Sequence, residues 1–417
     1  MMIPGFGRSL VRVGALLTLA ACGGSQPPIG MPGATSQAPA IAPARAIAHN
    51  IRTASSSYQL VYSFGRLLGD GTNPWADLLN VKGRLYGTTV GGGAGSGTVF
   101  SVTPSGKEKV IHSFDGPGDG GYPYGTFINV NGTLYSTTAG GGTMGYGTVF
   151  SVTPSGTETV LHSFGGSQDG SDPYAGLLNV NGTLYGVTSM GGGAYCSSRG
   201  CGTVYSITTS GNETVLYSFK GGSGDGVLPT AVLVDVKGTL YGTTSRGGVN
   251  GDGTVFSVTT SGTEETVLHS FGGSGDGETP AAGLLNVNGT LYGTTSSGGA
   301  NCSSRGCGTV YSITRHGKET VLYRFKGGSG DGEYPNAVLI NVNGTLYGTT
   351  TGGGVNGDGT VFSVTTSGTE ETVLHSFGGS GDGEVPYAGL LNVNGTLYGT
   401  TYEGGANGDG TVYSITP

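Results

Sequence analysis

The sequence predicts an all-β chain folded as a seven-bladed β-propeller of four-stranded blades, closed by an N-terminal strand that completes the last blade. Three observations carry that reading. First, a unit of about fifty residues recurs seven times. Its Leu-Tyr marker falls at Tyr86, Tyr135, Tyr185, Tyr241, Tyr292, Tyr347 and Tyr398, and Gly-Thr-Val-(Phe/Tyr)-Ser follows each time. A fixed period of this kind means one supersecondary unit copied. Second, each unit holds four short apolar runs between turn residues and no 3.6-residue period of useful length. Third, the array begins and ends out of phase. Tyr58-Gln59-Leu60-Val61-Tyr62-Ser63-Phe64 matches the fourth run of a unit, and the seventh unit has only three runs before Pro417. Pairing first with last closes a ring and removes exposed edges. An open solenoid would instead need capping segments, and none is visible.

Taken in order, the chain opens with an export signal over residues 1–22. Arg8 and Arg12 precede a short apolar run at residues 13–19, and Leu19-Ala20-Ala21-Cys22 ends in small residues. The run is too short to span a bilayer permanently. Leu-Ala-Ala-Cys resembles the bacterial lipobox. That resemblance implies acylation of Cys22 and attachment to a membrane through the lipid. Gly23, standing where retention at an inner membrane would favour Asp, implies the outer membrane or cell surface. Residues 23–57 are aperiodic and rich in Pro, Ala, Ser and Gly, which reads as a tether. If flexible, such a segment reaches about 30 Å. Residues 58–417 are the propeller.

The fifth unit shows how a blade is written. The apolar run at residues 281–287 (strand a) meets Asn288-Gly289, and residues 290–295 (strand b) return. Asn-Gly between apolar runs is a strong hairpin signal because both turn residues take positive φ. A Gly-rich loop leads to residues 309–314 (strand c), and a turn at Gly317 leads to residues 319–325 (strand d). This order places the d–a and b–c connections on one face of the ring. The short a–b and c–d turns lie on the other.

The runs Gly-Thr-Leu-Tyr-Gly-Thr-Thr, Gly-Gly-Xaa-Asn-Gly-Asp-Gly-Thr-Val-Phe and Val-Leu-His-Ser-Phe resemble the GloVer tandem repeat of exported bacterial proteins, over about residues 58–417. The resemblance implies surface proteins with varied anchors, and it brings no reaction or ligand with it. Cys196 and Cys302, Cys201 and Cys307, and Gly253 and Gly359 each stand 106 residues apart. Units three and four were thus copied into five and six, so identity between these copies says little about constraint.

Composition narrows the partners. Glycine contributes 88 of 417 residues without a Gly-X-Y triplet, as suits many short strands joined by turns. The net charge is −8, and 18 Lys and Arg are thinly spread, so no basic stripe awaits phosphates and nucleic acid is not an expected partner. A single closed ring is expected to be a monomer.

Candidate residues concentrate on the face that carries the d–a and b–c connections, where loops vary. Every d–a connection contains Asp-Gly-Xaa-Xaa-Pro, giving Asp70, Asp119, Asp169, Asp225, Asp276, Asp331 and Asp382; three b–c loops add Asp252, Asp358 and Asp409. The structural reading is a turn in which Asp bonds nearby backbone, Gly takes positive φ and Pro sets the entry to strand a. The functional reading is a ligand face for polysaccharide hydroxyls or Ca²⁺. Ca²⁺ needs six to eight oxygens and each blade offers at most two obvious carboxylates, so no cofactor is expected and Ca²⁺ stays the alternative. Cys196, Cys201, Cys302 and Cys307 form two Cys-Ser-Ser-Arg-Gly-Cys loops. In an exported chain these are expected as two local disulfides, since two thiolates per loop leave zinc short of ligands. Arg199 and Arg305 stand between them, and ordinary solvation is expected of both, with display to an acidic partner as the alternative. His112, His162, His269 and His375 alternate with Tyr62, Tyr217 and Tyr323 in strand d. Spread one per blade, they are given no catalytic role. No catalytic residue or metal ligand is singled out. The expectation is a lipid-anchored surface scaffold that binds a glycan or a surface protein. The alternative is a secreted carbohydrate-active enzyme using carboxylates on the same face.

Overall fold

Leu79–Val81, Arg84–Gly92, Thr98–Val102 and Glu108–Ser113 are strands a to d of blade one, hydrogen-bonded in chain order. The same four-stranded order recurs in the blades that follow. The computed structural model describes residues 56–417 except 194, 195, 197, 198, 263, 264, 273, 274, 300, 301, 303, 304, 369 and 370. The export signal, Cys22 and nearly all of the tether lie outside the described residues. No helix among the described residues is long and apolar enough to cross a membrane.

The turns between strands a and b form as the sequence dictates. Asn131 and Gly132 take φ of 54° and 91°, and Asn288 and Gly289 take 52° and 87°. Lys82 and Lys237 adopt the same left-handed conformation where Asn is replaced.

Blade seven is composite. Leu391–Val393, Thr396–Thr401 and Thr411–Thr416 are its strands a, b and c, and Ser57–Ser63 supplies strand d. That strand runs antiparallel to Thr411–Thr416, with Ser57 opposite Thr416 and Ser63 opposite Thr411. At the inner end, strand a of blade seven packs against strand a of blade one.

The core lies between blades. Phe64, Phe114, Phe164, Phe219, Phe271, Phe325 and Phe377 end the seven d strands, and each packs edge-on against the strand-c aromatic of the next blade. Phe377 on Tyr413 and Phe64 on Phe100 carry the series through the closure at 5.0 and 4.9 Å. Each such pair contributes about 0.5–1.5 kcal/mol beyond its buried area.

The d–a connections differ from the sequence expectation in one respect. The Gly of Asp-Gly-Xaa-Xaa-Pro has left-handed φ only at Gly120 and Gly170. The residue before Pro takes that conformation in all seven copies: Asn73, Tyr122, Asp172, Leu228, Thr279, Tyr334 and Val385, with φ from 55° to 60°. Its backbone is held at both ends. The N–H of Val385 donates to the Asp358 carbonyl at 2.9 Å, and its own carbonyl accepts from Tyr402 N–H at 3.0 Å. Those bonds join adjacent blades and outweigh the steric preference of a branched side chain. The bend aims the residue after Pro toward the ring axis.

Candidate functional site

The seven d–a aspartates sit at blade junctions, each with a partner from strand d. Tyr62, Tyr217 and Tyr323 donate their hydroxyls to Asp70, Asp225 and Asp331 at 2.9, 2.9 and 2.8 Å. In the other four, Nε2 of His112, His162, His269 and His375 lies 3.2, 3.1, 3.0 and 2.8 Å from Asp119, Asp169, Asp276 and Asp382. Backbone N–H groups complete the clasps. Asp225 accepts from Lys220 and Gly226, both at 2.6 Å. The alternation of His with Tyr therefore has a physical reason, because either side chain presents a polar hydrogen to the same carboxylate. Asp70, Asp225 and Asp331 are buried. The carboxylates are bound into junctions and are not arrayed as an open ring.

A Glu from strand d of the following blade faces each of six clasps. Its burial is what moves its acidity: burial, then the nearby Asp, pushes Glu108, Glu158, Glu213 and Glu265 up to about 7. Glu371 rises to about 8 for the same reasons. His112–Asp119–Glu158, His162–Asp169–Glu213 and His269–Asp276–Glu319 bring one donor atom each within 4.8 Å of one another. Such N/O sets could hold a divalent ion. The same carboxylate pairs recur with Tyr in the His place, at Asp70 with Glu108 and Asp331 with Glu371. Hydrogen bonding common to both versions accounts for the arrangement.

Asp252, Asp358 and Asp409 are half-buried in b–c loops. Their backbone carbonyls receive Thr279, Val385 and Asn73. Cys196–Cys201 and Cys302–Cys307 are disulfides, as expected, with Cα separations of 5.4 and 5.9 Å. Beside the first, Arg199 lines an off-axis groove of about 780 Å³ together with Met144, Tyr146, Gln168, Asp172 and Met190.

The residues that converge are the seven that follow Pro: Trp75, Tyr124, Tyr174, Thr230, Ala281, Asn336 and Tyr387. Six of them line a cavity of about 370 Å³ at the mouth of the axial channel. Tyr124 joins the other six in the continuous cavity of about 350 Å³ below. Sevenfold symmetry breaks here. Blades seven, one, two and three contribute Tyr387, Trp75, Tyr124 and Tyr174, whereas blades four, five and six contribute Thr, Ala and Asn. Trp75 stacks on Tyr387 with centroids 4.0 Å apart and planes 16° from parallel. Tyr124 and Tyr402 stand at 89° to Trp75, at 5.2 and 5.6 Å. Tyr124 in turn meets Tyr174 at 5.0 Å. All five rings are partly exposed. One half of the mouth is thus an aromatic arc and the other half is small and polar.

Below the arc, the axial cavity contains Asp77. The equivalent residues are Thr126, Gly176, Val232, Gly283, Val338 and Gly389. Asp77 Oδ1 accepts the Gly389 N–H of blade seven at 2.6 Å, and burial raises its pKa above the usual carboxylate range. Neither Trp75 nor Asp77 stands among the candidate residues that the sequence offered. Aligning the units on their Pro residues would have shown both departures.

A sequence model of the Gloeobacter/Verrucomicrobia repeat matches residues 45–198 and 301–417. No curated protein matches the chain. Among solved structures, the chain is similar to an oligogalacturonate lyase in complex with manganese, at 9% identity and TM-score 0.51, covering 87% of this chain and 96% of that one. An oligogalacturonate lyase from Vibrio parahaemolyticus is similar at 8% identity and TM-score 0.54, with coverage of 87% and 96%. The extracellular domain of a hybrid two-component system from B. thetaiotaomicron is similar at 10% identity and TM-score 0.53, covering 86% of this chain and 39% of that one. At these identities the likeness shows the fold alone.

Proposed function

The chain belongs to the Gloeobacter/Verrucomicrobia repeat family, and on that footing we propose that it is an exported, lipid-anchored scaffold that binds a glycan at its axial mouth. The observation that carries this reading is the aromatic arc of Tyr387, Trp75, Tyr124 and Tyr174, built on one side of an otherwise sevenfold ring. Aromatic rings with a polar edge suit ligands that are apolar on one face and hydroxylated at the rim. Thr230 and Asn336 across the mouth add hydrogen-bonding groups. A concave, mostly apolar pocket with a few convergent polar groups is the general form of a small-molecule site. The two disulfides suit an oxidising compartment outside the cytoplasm. Attachment through Cys22 predicts that Cys22→Ser releases the protein from the membrane fraction; a variant still sedimenting with membranes would refute the anchor.

The test of binding is a polysaccharide array probed with the purified protein, paired with Trp75→Ala. A defined glycan captured by the wild type and lost in the variant supports the reading. Capture undiminished by Trp75→Ala, or a blank array, overturns it.

Asp77 favours a second reading, a carbohydrate-active enzyme, because a carboxyl with raised pKa can serve as general acid or base. Two of the similar structures are lyases acting on oligogalacturonate. Glycoside hydrolysis ordinarily uses two carboxyl groups about 5–10 Å apart. Among the described residues, the lining of the axial cavity offers Asp77 as its one carboxylate, so binding is the better-supported function. Release of reducing ends from a captured glycan, abolished by Asp77→Asn, would reverse that preference.

A further inference from the structure

We propose that the axial site takes its ligand by a positively charged ammonium group, so that the glycan it recognises carries free amino sugars. The proposal rests on the glycan-binding reading above and adds the chemistry of the recognised group.

The argument begins with what surrounds Asp77. Among the described residues, the cavity lining contains no Lys, Arg or His to neutralise it. Its carboxylate accepts one hydrogen bond among the described residues, from the Gly389 N–H. Asp77 is half-buried on the cavity wall, and enclosing a carboxylate without a counter-charge makes it hold its proton more tightly. Burial indeed raises its pKa. A cation entering the cavity would supply that counter-charge and restore the ionised form.

The walls point the same way. Trp75, Tyr124, Tyr174 and Tyr387 line the cavity that holds Asp77. Aromatic faces attract a cation within about 6 Å of the ring centroid, Trp most strongly. Trp75 and Tyr124 meet edge to face at 89°, so the aromatic lining turns a corner around the cavity. A neutral sugar would use the ring faces and could donate a hydroxyl to the carboxylate, but it brings no counter-charge. An ammonium group engages the rings and brings that charge as well. The net charge of −8 also favours approach of a cationic polymer.

A purely structural role for Asp77 is the competing account. Its bond to Gly389 ties blade one to blade seven across the closure. Asn presents the same carbonyl oxygen to that N–H without the charge, so Asp77→Asn separates the two roles.

Trp75 is the single Trp of the chain, and its emission reports events at this site directly. The full-length protein is titrated at pH 6 with a glucosamine oligosaccharide and with its N-acetylated counterpart of equal length. The expected result is at least tenfold tighter binding of the free amine, a preference lost in Asp77→Asn while the melting temperature holds. Choline should also displace the amine oligomer from the wild type, a readout that needs no variant. Equal affinity for the two oligomers, or failure of choline to compete, overturns the ammonium proposal and leaves the glycan site standing. No change in Trp75 emission with either oligomer overturns both.

Discussion

Tyr58 lies flat against His375, with ring centroids 4.0 Å apart and planes 1° from parallel. At the other six junctions the corresponding position of strand d holds a Glu. Only at the closure does a ring replace it, so the N-terminal strand, laddered to Thr411–Thr416 of blade seven, is also fastened to blade six by stacking. Tyr58 also contacts Phe377 and Tyr413, the last pair of the interblade series.

Tyr58→Ala should therefore loosen the ring at its seam. A loss of about 1–3 kcal/mol is expected for a partly buried aromatic with three ring contacts. Denaturant unfolding and amide exchange in Ser57–Ser63 and Thr411–Thr416 check it. Unchanged stability, with full protection of both strands, would show that stacking contributes nothing to closure.

The junction glutamates make stability depend on pH in a definite direction. Burial raises Glu108, Glu158, Glu213 and Glu265 to about 7 and Glu371 to about 8, against an ordinary value of 4.5. A carboxyl whose folded pKa is raised binds its proton more tightly when folded, so its contribution is present at low pH and is lost as pH climbs through the folded value. His162, also raised, acts in the same sense. Asp382, lowered chiefly against the pull of burial by its bond to His375, works oppositely and loses its contribution in stronger acid. The melting temperature should fall by several degrees from pH 5 to pH 8. Glu213→Gln should flatten part of that slope. A melt that is level or higher at pH 8 would contradict the burial argument.

Val385 carries strain that an Asn would relieve. A β-branched residue at φ 56° is a steric outlier, whereas Asn tolerates that region and already stands at the equivalent Asn73. Strained positions of this kind cost about 1–3 kcal/mol each. Val385→Asn should raise stability by about 1 kcal/mol, read from the denaturant midpoint at constant slope. A lower midpoint would mean that the Val side chain is worth more than the strain.

How much of this was legible in the sequence follows from how each feature is written. The strands and their order repeat seven times, so the Leu-Tyr and Gly-Thr-Val signals reinforce one another, and Tyr58–Phe64 could be recognised as a displaced strand d. The clasps were half legible. His112 and Asp119, or His375 and Asp382, stand seven residues apart in plain view, but their pairing depends on a turn whose bend is set by the residue before Pro. The axial mouth was hidden for a different reason. Trp75, Tyr124, Tyr174 and Tyr387 are brought together only by ring closure, and nothing local to any one of them announces the others. Asp77 was hidden as well, since a single Asp beside strand a looks like an ordinary exposed substitution until the axis places it inside.

The stack of Trp75 on Tyr387 gives the mouth a spectroscopic handle before any ligand is known. Tyr387 covers one indole face at 4.0 Å, and Tyr402 closes on both rings at about 90°. Tyr387→Ala removes that cover without touching the interblade core, where Phe377 and Tyr413 remain in contact. The emission of Trp75 should shift to longer wavelength and become more accessible to acrylamide, while the melting temperature moves by a few degrees at most. A glycan bound through the arc should then bind Tyr387→Ala at least tenfold more weakly, because one wall of the stack is gone. An unshifted emission maximum would mean that Trp75 is shielded by other groups, and that the stack with Tyr387 does not define the mouth in solution.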